Sequence, residues 1–80
     1  MTESHVEPTV ELDCRGLNCP LPILKAKKAI TSLAAGDILK VVATDPGSVA
    51  DFAAFSRRTG NKIVDQGEGD GEYVFFVEKV

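Results

Sequence analysis

Apolar and polar residues alternate early in the chain. Val10, Leu12 and Cys14 are separated by Glu11 and Asp13, the period of two that a half-buried strand requires. Arg15, Gly16, Leu17 and Asn18 then break the pattern as a turn. From Pro20 to Ala35 the period lengthens. Ile23, Ala26, Ile30, Leu33 and Ala34 fall on one stripe of a helix, and Gly36 stands where such a helix stops. Pro20 and Pro22 are compatible with it, because the N–H groups of a first turn have no partner within the helix. Asp37 to Thr44, with Val41, Val42 and Ala43, predicts an inner strand. Asp45-Pro46 predicts a second helix, with Asp45 as its cap and Pro46 at its first position. Val49, Phe52, Ala53 and Ser56 share a face of that helix. Arg57 and Arg58 lie in its last turn, where cations oppose the negative end of the dipole, and Gly60-Asn61 ends it. Lys62 to Gln66 predicts a third strand, Gly67 to Gly71 a turn, and Glu72 to Lys79 a fourth strand rich in Val, Tyr and Phe.

The order is β-α-β-α-β-β. Right-handed crossovers place both helices on one face of a single sheet, so the predicted fold is an α/β two-layer sandwich whose other sheet face meets solvent or a partner. The last two strands form a hairpin closed by Gly67 to Gly71. With 80 residues the chain makes one domain, residues 9–80, preceded by a short flexible tail, residues 1–8, that carries Glu3, His5, Glu7 and Pro8. A chain of this size buries only roughly 60% of its unfolded surface, so the core is thin.

Charge narrows the function. The formal net charge of −3 argues against binding along a nucleic-acid backbone. Lys25, Lys27 and Lys28, with Arg57 and Arg58, nevertheless make a local basic patch, which suits an acidic protein partner better. No run approaches the ~20 apolar residues of a membrane span, and the N-terminus lacks the basic start and apolar stretch of a signal peptide. The expected setting is the cytoplasm, with no membrane contact. There Cys14 and Cys19 are thiols, too few in any case for a disulfide scaffold. No metal is expected: His5 lies in the tail, and two thiols do not complete a site that normally has four ligands. The one histidine leaves no Cys-His or Ser-His pair on ordered structure, and Gly67, Gly69 and Gly71 precede a strand rather than the helix of a phosphate loop.

The chemistry concentrates on Cys19, at the start of the first helix and followed by Pro20, Leu21 and Pro22. Unpaired N–H groups in a first turn carry partial positive charge, which shifts a thiol toward the thiolate that attacks sulfur. The prolines fix that turn and remove two donors, leaving those of Leu21 and Ile23. Gly16, Asp13 and Arg15 belong to the turn before it. Asp13 and Arg15 either form a plain surface ion pair or orient that turn. Cys14 is in phase with Val10 and Leu12 and is expected in the core, the alternative being a second thiol that resolves Cys19 in a dithiol redox or regulatory module. Leu21, Leu24, Lys25 and Lys28 project away from the buried stripe. They form either an ordinary solvated face or a docking surface with an apolar contact near the thiol and a basic rim.

The segment Leu12-Asp13-Cys14-Arg15-Gly16-Leu17-Asn18-Cys19-Pro20-Leu21-Pro22 resembles the signature of the TusA-like, or SirA-like, sulfur carrier family: Cys-Pro-x-Pro at a helix start, after an Asp-x-x-Gly-Leu turn. Lys27-Lys28-Ala29 and Ala43-Thr44-Asp45-Pro46-Gly47-Ser48 also look like that family, and the likeness runs from Val10 to the C-terminus. The resemblance implies two helices on a four-stranded mixed sheet. It implies a sulfurtransferase that carries sulfane sulfur as a transient persulfide on Cys19, with no resident cofactor. Sulfur would arrive from a cysteine desulfurase or a rhodanese-like donor. It would leave to an acceptor protein, toward transfer RNA thiolation, molybdenum cofactor synthesis or sulfur oxidation. Such a protein is a carrier between proteins rather than a small-molecule catalyst.

Overall fold

The computed structural model describes residues 7–18 and 20–80. β1 (Val10–Cys14) leads through α1 (Leu21–Ile30) to β2 (Ile38–Ala43), which lies parallel beside it. α2 (Ser48–Thr59) carries the chain on to β3 (Lys62–Gly69), and a tight turn returns it as β4 (Glu72–Glu78). β3 does not settle next to β2. β4 fills the position between them, antiparallel to both, in the order β1-β2-β4-β3. The predicted sandwich is observed, and its sheet is mixed. α1 packs on β1 and β2, α2 on β3 and β4, and the helices touch each other. That is the arrangement two crossovers of one hand impose.

The core lies between the layers. Along β2, Leu39, Val41 and Ala43 are buried while Ile38, Lys40 and Val42 face the other way and are half-buried. β4 sets Val77 and Phe75 opposite Leu39 and Val41. The helices contribute Pro22, Ala26, Ile30, Phe52 and Phe55. The Phe52 ring stacks on Phe75 at 4.6 Å and meets Phe55 edge-on at 6.3 Å, both favoured aromatic geometries. The open face of the sheet is covered in part by its own side chains. Phe76 is buried there, and Lys40, its partner in the ladder, holds its ammonium 5.8 Å from the ring centre.

α1, α2 and β3 differ in extent from the sequence expectation, each for a local reason. α1 stops at Ile30 instead of Ala35 because its hydrogen bonds tighten: Ser32 N–H reaches Ala29 O at 3.2 Å and Leu33 N–H reaches Ile30 O at 3.1 Å. Gly36 therefore serves a separate bend, with φ +91°, in which the Asp37 carboxylate accepts Ala34 N–H at 2.9 Å. α2 begins at Ser48 after Gly47, and Asp45-Pro46 form the turn before it, with Ser48 N–H on Asp45 O at 2.9 Å. The buried face of α2 is Ser48, Phe52 and Phe55, whereas Val49 is exposed. β3 runs on to Gly69, with Gly67 opposite Val74 and Gly69 opposite Glu72. The turn is only Asp70-Gly71, at φ +54° and +77°, the paired positive values that a two-residue hairpin turn requires. Of the predicted tail, residues 1–6 lie outside the described residues, so the placement of Glu3 and His5 does too. Among the described residues no helix is long and apolar enough to cross a membrane.

Candidate functional site

Cys19 lies outside the described residues; the chain on both sides of it is described. β1 and β2 end side by side at the Cys14–Ala43 pair, and both helices start from that edge of the sheet. In open α/β sheets the carboxyl ends of parallel strands are where the βα turns, and with them the reactive groups, collect. After Cys14 the chain bends back at once: Leu17 N–H donates to Cys14 O at 3.2 Å, and Leu17 packs against the core. Gly16 takes φ +81°, a left-handed conformation that favours glycine, and its N–H donates to Thr44 Oγ1 at 2.9 Å. Asn18 O accepts Leu21 N–H at 2.8 Å, and Pro20 O accepts Leu24 N–H at 3.1 Å.

This geometry corrects one expectation and sharpens another. The Leu21 N–H, read from the sequence as a free first-turn donor, is held by Asn18. Pro20 is exposed and occupies the cap position of α1 without a side-chain hydrogen bond. Pro22, in the second position of the helix, is fully buried. The first turn of α1 is therefore stiffened by its prolines and also anchored in the core through one of them.

Asp13 and Arg15 close on each other. Arg15 Nε donates to Asp13 Oδ1 at 2.9 Å, Nη2 to Oδ2 at 3.1 Å, and the Arg15 backbone N–H to Oδ1 at 3.0 Å. The other side of the guanidinium, Nη1, lies 3.6 Å from Glu72 of β4. Both partners are exposed, so the pair adds little stability; its effect is to fix the shape of the turn. The Arg15 hydrogen bonds hold the Asp13 carboxyl at about 2, below its ordinary 3.8, and Arg15 is raised in return by the same contact. A lowered carboxylate pKa means that the pair is complete above the ordinary carboxylate range and is lost as pH falls toward 2. NMR titration of Asp13 is expected to show that depressed midpoint, and Arg15→Ala is expected to return it toward 3.8. An unchanged midpoint in the variant would contradict the assignment of the shift to Arg15.

Cys14 is a free thiol at 0% exposure, and burial pushes its pKa up, although the nearby Lys25 ammonium pulls the other way. A buried, protonated thiol is a poor partner for exchange, so the redox alternative is not favoured. Leu21 and Leu24 stand out at 47% and 52% exposure, with Lys25 and Lys28 exposed beside them on the side of α1 opposite Pro22, Ala26 and Ile30. The structure thus brings together the four residues read as a docking surface. On the other flank of α1, a groove of about 320 Å³ between the helices starts at Pro20, with Ile23 and Phe55 among its apolar walls and Lys27 and Arg58 at its sides. Among the described residues no three His, Cys, Asp or Glu side chains gather as metal ligands. Sequence reasoning missed Thr44 and Glu72. Each is a single polar residue far along the chain from the turn it touches, and no periodicity marks it.

The family model described as sulfurtransferase TusA matches residues 10–79. A sulfur carrier protein TusA of Allochromatium vinosum is 52% identical over 69 residues, which cover 86% of this chain and 91% of that protein. A sulfur carrier protein TusA of Pseudomonas putida is 38% identical over 72 residues, covering 90% of each. The crystal structure of a SirA-like protein from Desulfitobacterium hafniense superposes with a TM-score of 0.77 at 25% identity, over 86% of this chain and 95% of that one. The Cys19-Pro20-Leu21-Pro22 sequence, the mixed four-stranded sheet and these near full-length matches agree, and the chain belongs to the TusA sulfurtransferase family.

Proposed function

We propose that this TusA-family sulfur carrier receives sulfane sulfur as a persulfide on Cys19 and passes it to an acceptor protein. The observation that carries the reading is the first turn of α1. It follows Cys19 directly, it is fastened by the buried Pro22, and it stands beside the exposed Leu21 and Leu24. In the transfer, the Cys19 thiolate attacks the outer sulfur of a donor persulfide. The donor S–S bond breaks, a new S–S bond forms on Cys19, and the donor leaves as its thiolate. No electrons are gained or lost overall. Release to the acceptor repeats the exchange with Cys19 as the leaving thiolate.

The donor in this reading is a cysteine desulfurase or a rhodanese-like protein, meeting the carrier through Leu21, Leu24, Lys25 and Lys28. An apolar contact beside the sulfur with a basic rim fits an acidic surface around the donor cysteine. Asp13, Arg15, Gly16 and Pro20 set the thiol's position, and no resident cofactor is needed. The setting is the cytoplasm, where thiols stay reduced. The acceptor's pathway is transfer RNA thiolation, molybdenum cofactor synthesis or sulfur oxidation. The reduced protein, incubated with a cysteine desulfurase and L-cysteine and then weighed, is expected to gain one sulfur, about 32 Da, and to lose it to an acceptor thiol. If donors of both kinds load themselves yet leave this protein at its original mass, the proposal fails.

A further inference from the structure

The backbone ladder between β1 and β2 stops at the Cys14–Ala43 pair, before the turn that leads to Cys19. One residue further along β2's path, Thr44 reaches across and accepts Gly16 N–H at 2.9 Å through its hydroxyl. Gly16 is exposed, and a Cβ placed on it would find nothing within 4 Å, so packing does not hold this part of the turn. Thr44 also precedes Asp45, whose carbonyl receives Ser48 N–H at the start of α2. The same side chain therefore links the two βα turns that lie at the reactive edge of the sheet.

We propose that Thr44 is a positioning residue for Cys19: its hydroxyl extends the β1–β2 ladder by one side-chain bond and fixes the turn from which the carrier cysteine departs. This rests on the sulfur-carrier reading. The argument turns on what happens when the acceptor is lost. Because Gly16 is exposed, water replaces the hydroxyl and folding is little affected. Water cannot replace the tether, and small displacements of a reacting group lower rates strongly.

Thr44→Val keeps the branched shape and removes the acceptor. In loading by a cysteine desulfurase, kcat is expected to fall about tenfold with KM unchanged, since the α1 docking face is intact, while the melting temperature stays within about 2 °C. Thr44→Ser returns the hydroxyl and is expected to restore kcat. Iodoacetamide alkylation, which reads Cys19 because Cys14 is sealed, is expected to follow the same order. A Thr44→Val protein that loads and alkylates like the native one overturns the proposal. So does a loss of kcat that comes with a collapse in melting temperature and is not restored by serine, since that describes a structural role. Failure of the native protein to load at all would instead sink the sulfur-carrier reading, and the alkylation series would still report whether Thr44 sets the reactivity of Cys19.

Discussion

Cys19→Ser is expected to abolish sulfur loading and leave the fold intact, and Cys14→Ser is expected to do the reverse. The two cysteines are five positions apart in the sequence. Cys14 ends β1 inside the core, at 0% exposure and with its thiol pKa raised by burial. A serine there places a hydroxyl among apolar neighbours, at a cost of about 1–3 kcal/mol. Its removal takes nothing from a transfer that proceeds through the other sulfur. Cys19 is the sulfur through which the proposed transfer runs, and a serine oxygen in its place cannot hold sulfane sulfur. Mass spectrometry after exposure to a persulfide donor gives the first readout, and urea unfolding gives the second. A Cys14→Ser protein that folds but no longer loads would revive the dithiol mechanism.

Phe52→Ala is expected to bring the domain to the edge of unfolding. Phe52 is fully buried, stacked on Phe75 and edge-on to Phe55, so it joins α2 to β4, an interior strand of the sheet. Truncating such a ring costs about 3–5 kcal/mol through lost burial and the cavity left behind. Domains of this size hold roughly 4–12 kcal/mol in total. The urea midpoint should fall by about a quarter or more with an unchanged slope, and the chain should be partly unfolded at 37 °C. A midpoint shift of less than a tenth would show that the two layers are held together elsewhere.

The parts of this fold that were legible in the sequence are those where a period survives. β1 was readable because Val10, Leu12 and Cys14 alternate with charged residues, and the turn into α1 because Cys19-Pro20-Leu21-Pro22 is a specific string. The face of α2 was not. Stripes through Val49 and through Phe55 both contain Phe52, and only the space above β4 decides that the larger ring goes inside. The end of α1 was hidden for a related reason: Leu33 stays in phase with the helix stripe and still packs on the core, although the backbone has already tightened. Gly67 and Gly69 looked like turn residues and are paired strand residues instead, because the cross-strand ladder supplies what their own propensity does not. On α1, the exposure of Leu21 and Leu24 followed from their spacing against the buried stripe. Thr44 stood in a family-like string, but its contact was not legible, since a hydroxyl that meets its partner 28 residues away leaves no local trace.

The last strand of the chain lies in the interior of the sheet, between β2 and β3. During synthesis, β1 and α1 emerge from the ribosome long before the residues that complete their support. Until β4 arrives, β2 has an open edge and α2 lacks Phe75 beneath it. Pairing across such sequence distances is slow to nucleate and can begin only once β4 has been made. The domain therefore closes only when β4 is available, and a chain that stops short of it keeps an open sheet edge that invites proteolysis and aggregation.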